Sequence, residues 1–262
     1  MNTGSGFEEH TQELGLSEKT GWWNTVEVAD LNADGLPDLI AGNVGLNTKY
    51  QATREEPATL FAGTFNGDER QHIVEAQYEN GELYPVRGLS KLRYSFPRQT
   101  RRFRTFDQFS KATLSDIFGM DSLSKARKLE AAELANGIFF QQQDGSYQFH
   151  LLPREAQLSP IHTISLLDFN GDGTQDLFLA GNDFGPEPTT GRFDGSLGLL
   201  LANDGHGTFT PVWPARSGIS IPGESRASKV FENGGQSSLL VARTHGPLML
   251  FRPQVRSFQS RE

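Results

Sequence analysis

The stretch Thr25-Val-Glu-Val-Ala-Asp30-Leu-Asn32-Ala-Asp34-Gly35-Leu-Pro-Asp38-Leu-Ile-Ala-Gly-Asn43 occurs twice in this chain. Its second version is Thr163-Ile-Ser-Leu-Leu-Asp168-Phe-Asn170-Gly-Asp172-Gly173-Thr-Gln-Asp176-Leu-Phe-Leu-Ala-Gly-Asn182, longer by one residue between the last Asp and Ala-Gly-Asn. The two agree at ten or more positions. Self-similarity of that density marks stacked supersecondary units. Fainter copies begin at Thr64 (Thr64-Phe-Asn66-Gly-Asp68-Glu-Arg-Gln-His72) and Val230 (Val230-Phe-Glu232-Asn-Gly234-Gly235-Gln-Ser-Ser238). A Gly-rich tip followed by an aromatic also recurs, at Asn2 to Phe7, Asp144 to Tyr147 and Asn203 to Phe209. Glycines there supply the positive φ of tight hairpins.

Short apolar runs flank the loops. Thr-Val-Glu-Val and Ile-Ser-Leu-Leu precede them, Leu-Ile-Ala and Leu-Phe-Leu-Ala follow, and Leu197 to Ala202 and Leu248 to Phe251 have the same texture. Runs of this length bounded by turn residues predict buried strands. Repeated at intervals of several tens of residues, they point to an all-β fold, a partial β-propeller of about four blades over 1–262; strand signals alone also allow a sandwich. From about Thr105 to Ala135 the spacing of Phe106, Phe109, Ala112, Leu114, Ile117 and Phe118, then Leu129 to Leu134, predicts helix. That segment, with the basic run before it, is a helical insertion over 88–136.

In the first loop Asp30, Asn32, Asp34 and Asp38 present side-chain oxygens at positions 1, 3, 5 and 9, with the Leu36 carbonyl at position 7. Gly35 at position 6 allows the sharp turn. In the second loop Asp168, Asn170, Asp172, the Thr174 carbonyl and Asp176 match them. Ca²⁺ takes 6–8 hard oxygen ligands, which this spacing delivers. Three carboxylates so close repel one another without a cation. The plainer reading is a surface turn of Asp, Asn and Gly; two matching loops in matching strand contexts weigh against it. An EF-hand needs a bidentate acid at position 12, where this chain has Ala41 and Leu179. The Thr64 copy has Glu69 for the Gly and His72 for the last Asp, and the Val230 copy has almost no carboxylates, so both are expected to keep the turn with weak or no ion binding.

These residues resemble the FG-GAP/VCBS repeat family, which includes the integrin α-chain propeller. Gly21-Trp22-Trp23-Asn24, the Asp30 loop, Ala41-Gly-Asn43 and Gly191-Arg-Phe-Asp-Gly-Ser-Leu-Gly198 look like the C-terminal part of large bacterial VCBS-repeat proteins. The resemblance implies a propeller of about seven blades in a secreted or surface-exposed protein. The chain opens on a Gly-Phe tip that reads as the end of a preceding blade. The expectation is therefore a C-terminal segment with missing blades and any export signal upstream. The N-terminus itself has neither the basic start nor the apolar run of a signal peptide.

Composition fits a globular chain: 262 residues, 36% hydrophobic, 28 Gly, net charge −8. With no Cys, disulfides, zinc thiolates and thiol nucleophiles are excluded. The six His form no His-Glu-x-x-His pair, and no Gly-x-Ser-x-Gly elbow occurs. His162, before an apolar run, reads as a packed residue, and Trp22-Trp23 as core aromatics. One charge pattern stands out. Arg87, Lys91, Arg93, Arg98, Arg101, Arg102 and Arg104 run without an acid between Glu82 and Asp107, interleaved with Tyr94, Phe96 and Phe103. It suits a polyanion partner; the plainer reading is a solvated insert facing acidic loops. Together these features lead to the expectation of a non-enzymatic, calcium-binding recognition or adhesion module outside the cytoplasm, with a protein or carbohydrate ligand. The alternative is a scaffold or substrate-binding part of a carbohydrate-active or other extracellular enzyme.

Overall fold

The computed structural model describes residues 4, 6–186, 188, 190–233 and 236–252. The chain is mostly β, with 36% strand and 14% helix. In chain order the elements are β1 (Thr25–Ala29), β2 (Asp38–Gly42), β3 (Ala58–Gly63), β4 (His72–Glu79) and β5 (Glu82–Pro85). Five short helices follow: α1 (Leu89–Ser95), α2 (Pro97–Thr100), α3 (Phe106–Ser110), α4 (Leu114–Phe118) and α5 (Met120–Lys125). Then come β6 (Arg127–Ala131), β7 (Gly137–Gln141), β8 (Tyr147–Leu151), β9 (Ile161–Leu167), β10 (Asp176–Gly181), β11 (Leu199–Asn203), β12 (Phe209–Val212), a sixth short helix α6 (Pro214–Ser217), β13 (Ser225–Asn233), β14 (Gln236–Arg243) and β15 (Met249–Phe251). The chain divides into two compact units, one of Met1–Ser17, Trp22–Lys49 and Leu134–Glu262, the other of Glu18–Gly21 and Tyr50–Glu133.

The first unit holds three antiparallel sheets, ordered β1-β2-β7-β8, β9-β10-β11-β12 and β13-β14-β15. The middle sheet is covered on both faces. Along β10, Leu177 and Leu179 join Ile40 and Ile138 in one core, while Phe178 and Ala180 join Leu239 and Val241 in another. Strand side chains alternate between faces, so a continuous apolar run fits only a strand buried on both sides. Burying a side chain such as Phe178 stabilises by about 1.5–3 kcal/mol. The first strands of the three sheets neighbour one another, with β9 beside both β1 and β13. The β9–β13 seam is polar: Ser228 N donates to Thr163 Oγ1 at 2.8 Å, and its hydroxyl meets that of Ser165 at 2.7 Å.

The repeated Ala-Gly-Asn lies where these sheets meet. A Cβ on Gly42 would come within 2.7 Å of the Ile161 carbonyl, and one on Gly181 within 1.8 Å of the Pro160 carbonyl. Only glycine allows the backbones so close. Asn43 Oδ1 then accepts from Trp22 N and Val44 N, and Asn182 Nδ2 donates to Ser196 and Gly223 carbonyls. The β9–β10 register shifts between Ala180 and Gly181, leaving His162 without a paired residue.

The second unit has one sheet, β5-β4-β3-β6, with α1 to α5 between β5 and β6 in sequence. Pro97 starts α2, and Thr113 with Asp116 forms a capping box on α4. Phe65, Phe96 and Phe118 meet ring to ring over 5.0–6.1 Å in the core. The helical expectation is corrected at both ends. Helix begins at Leu89, where Leu89, Leu92 and Phe96 are all buried, a 3-and-4 spacing that sequence reading passed over. Leu129 lies in β6 rather than in helix, because pairing with β3 from Ala58↔Ala131 to Ala62↔Arg127 outweighs the helix propensity of Lys-Leu-Glu-Ala. The second compact unit includes the whole β5-β4-β3-β6 sheet together with these helices.

Candidate functional site

The two Asp loops occupy the same place in two sheets, joining β1 to β2 and β9 to β10. Most of their internal bonds correspond, and the second loop adds one from Gly171 N to Asp168 Oδ1 at 2.7 Å. Asp30 Oδ1 accepts from Asp34 N at 3.2 Å and its Oδ2 from Gly35 N at 2.9 Å. Asp168 does the same toward Asp172 N at 3.2 Å and Gly173 N at 2.9 Å. Asn32 Oδ1 accepts from Asp34 N while its Nδ2 donates to Asp34 Oδ2, and Asn170 repeats both bonds with Asp172. Asp34 and Asp172 each take the N–H of the residue two further on, Leu36 and Thr174, at 2.8 Å. Gly35 and Gly173 sit at φ 82° and 88°, as the turn at position 6 requires.

Position 9 differs from the rest. Asp38 and Asp176 are fully buried. Asp38 accepts from Leu31 N and Gln141 N, both at 3.0 Å. Asp176 accepts from Phe169 N at 2.9 Å and Asn203 N at 2.8 Å. Gln141 and Asn203 each end the third strand of their sheet, so both carboxylates pin the loop to the same strand. Burial pushes both acids above the ordinary carboxylate range; the accepted N–H bonds oppose this, and the neighbouring Asp34 and Asp30, or Asp172 and Asp168, add to it. The Thr174 side chain and backbone hold Asp172 low.

Among the described residues no three His, Asp or Glu side chains are already gathered as a metal centre; as they stand, the loops are closed by hydrogen bonds. The donor set still fits a hard cation in kind. Each carboxylate offers about four acceptor positions, and the bonds above use only part of them. Asp30, Asp34, Asp168 and Asp172 are solvent-exposed, and the buried third acid of each loop carries the unrelieved repulsion of the other two. A divalent cation removes that repulsion.

The third loop, between β3 and β4, has Thr64 and His72 where the other two have their first and last Asp. Asn66 Nδ2 lies 3.2 Å from His72 Nε2, Asp68 lies 3.5 Å from the same nitrogen, and Arg98 Nη1 donates to the Asn66 carbonyl at 3.3 Å. The fourth turn, Gly234-Gly235, and the Asn2, Thr3 and Ser5 part of the first Gly-rich tip lie outside the described residues.

The basic run spreads over α1, α2 and the segment before α3. Arg87 pairs with Glu75 at 3.5 Å, Arg93 Nη2 donates to the Phe103 carbonyl at 2.6 Å, and Arg102 lies over the Phe103 ring at 4.7 Å. Arg101 and Arg104 are exposed. Phe96 and Phe103 are core, 3% and 8% exposed, whereas Tyr94 is 91% exposed. Trp23 packs edge-on against Phe139 and Phe149 at 5.6 and 6.2 Å. Of the buried amides, Asn43, Asn182 and Asn203 were read only as parts of the repeats, and Asn136 and Gln157 were not singled out from sequence. Among the described residues, no helix is long and apolar enough to cross a membrane.

No family model and no curated protein matches this chain.

Proposed function

We propose that the chain is part of a calcium-stabilised β-propeller of the FG-GAP/VCBS kind, a non-enzymatic recognition or adhesion module working outside the cytoplasm. The observation that carries this reading is the shared hydrogen-bond pattern of the Asp30 and Asp168 loops, each placed between the first and second strand of its sheet. Sheets packed in series with their first strands side by side support the propeller arrangement. Asp30, Asn32, Asp34 and Asp38 with the Leu36 carbonyl hold one ion, and Asp168, Asn170, Asp172 and Asp176 with the Thr174 carbonyl hold the other. Bound calcium supplies positive charge where three acids meet. The chain's own residues set the turn, exclude water from Asp38 and Asp176, and tie each loop to its sheet.

An ion that binds the folded loops and not the unfolded chain stabilises by mass action, about 2.7 kcal/mol at a hundredfold excess over Kd. Extracellular calcium modules bind at about 0.1–1 mM, which suits that location. Thermal unfolding and calorimetric titration with calcium test the proposal. Millimolar calcium should raise Tm by several degrees, and Asp34→Ala with Asp172→Ala, both at exposed positions, should abolish the rise, read against each protein's own metal-free Tm. A Tm indifferent to chelator and calcium, with no metal by elemental analysis, overturns it.

A further inference from the structure

The helical part of the second unit carries charge opposite to the rest of the chain. Between Arg87 and Lys128, eleven Lys or Arg stand against three Asp, in a protein of net charge −8. Several of those cations are already neutralised. Lys111 pairs with Asp107 at 2.9 Å, Lys125 with Asp121 at 2.7 Å, Lys128 with Glu130 at 2.5 Å and Arg87 with Glu75 at 3.5 Å. The third Asp, Asp116, is bonded to Thr113 and lies close enough to Arg102 to feel its charge.

Four guanidinium groups are arranged differently. Arg93 and Arg102 are both anchored on Phe103, one at its carbonyl and one over its ring. A carbonyl and a ring face orient a guanidinium without cancelling its charge, and most of its five N–H donors stay open. Arg101 and Arg104, on either side of Arg102 and Phe103, are exposed, and among the described residues neither makes an ion pair. Arginine predominates: the run from Arg87 to Arg104 contains six Arg and one Lys. Its planar fork suits planar or tetrahedral oxyanions, which it grips with two bonds at once.

Surfaces that bind single-stranded nucleic acid stack successive bases on exposed rings. Two of the three rings interleaved with this run, Phe96 and Phe103, are spent in the core. A sugar chain bearing carboxylate or sulfate groups needs no exposed ring to stack on. We propose that the surface around Phe103 binds an acidic polysaccharide, with Arg93, Arg101, Arg102 and Arg104 taking its carboxylate or sulfate groups. This identifies a ligand class for the recognition module and does not depend on the calcium loops.

Affinity electrophoresis of the full chain through hyaluronate, heparin, neutral dextran and poly(U) tests it, with calcium and with chelator. Retardation by hyaluronate or heparin and none by dextran is expected, and the stronger of the two names the anionic group. Arg101→Ser, Arg102→Ser and Arg104→Ser together should weaken retention about tenfold, 1.4 kcal/mol. Lys111→Ser with Lys125→Ser, which removes charges already paired, should leave it unchanged. Arg101→Ser alone should keep the wild-type Tm and still lower retention, which separates the surface from folding. No retention, equal loss per charge removed in the Arg and Lys sets, or stronger retention by poly(U) overturns the proposal. Because calcium-induced stabilisation is read separately from retention, either reading can fail while the other stands.

Discussion

The carboxylate of Asp38 accepts the backbone N–H of Gln141 at 3.0 Å, 103 positions further along the chain. Asp176 holds Asn203 in the same way at a separation of 27. Each acid thereby ties the loop between the first two strands to the end of the third. The larger segment of the second unit, Tyr50–Glu133, is inserted between β2 and β7, and Asp38 links the strands on either side of that insertion.

Asp38→Asn should therefore destabilise the metal-free protein by about 1–3 kcal/mol, because an amide nitrogen replaces one acceptor and leaves a buried N–H unsatisfied. Asp176→Asn should cost about the same. Urea unfolding in chelator measures both; a midpoint equal to wild type would mean that the acids serve only a cation.

Gly181→Ala should be among the most damaging substitutions in the chain, since its Cβ would lie 1.8 Å from the Pro160 carbonyl. Backbone cannot yield as a side-chain tip does, so a loss of about 3 kcal/mol or more is expected. Gly88→Ala, with no heavy atom within 4 Å and an ordinary φ, should stay within about 0.5 kcal/mol. Thermal melts of the pair give the contrast, and similar values would refute close approach at the Ala-Gly-Asn joint.

Ala33 adopts φ 60°, where the matching residue of the other loop is Gly171 at φ 78°. A Cβ in the left-handed region costs about 1–2 kcal/mol, partly offset by the greater flexibility of unfolded glycine. Ala33→Gly should gain about 0.5–1 kcal/mol. A decrease in Tm would show that the strain is not carried at this position.

His162 is held below the ordinary imidazole range by burial and by Arg226, against the opposing pull of Asp183, Glu224 and a hydrogen bond to the Asn182 backbone. Its Nε2 is buried without a hydrogen-bond partner. Because the folded pKa lies below the unfolded value of about 6.5, the unfolded chain binds the proton more tightly. Its contribution is intact above about pH 6.5 and is lost as pH falls below that value. His162→Gln should remove this component, so the stability gap between wild type and variant should shift in favour of the variant between pH 7 and pH 5. Parallel urea titrations at the two pH values check it; a gap independent of pH would place the acid sensitivity elsewhere.

Legibility followed distance along the chain. The Asp30 and Asp168 loops were readable because every partner within the turn lies a few residues away, so residue type and spacing fix the bonding. The role of Asp38 was half legible: an acid at position 9 was expected, but not that its oxygens would hold Gln141. The basic run was visible, yet which of its rings were available was not, since Phe96 and Phe103 turn inward only once α1 to α3 pack on Phe65 and Phe118.

The residues alone determined the two nine-residue loops, the strand character of Leu177 to Ala180 and the positive segment after Glu82, because each depends on local sterics, side-chain alternation or charge count. Tertiary structure decided that Leu129 is strand, that β7 completes the sheet begun by β1, and that Gly181 faces the Pro160 carbonyl. Those outcomes rest on contacts between distant segments, whose free energy outweighs local propensity and leaves no signature in any short window of sequence.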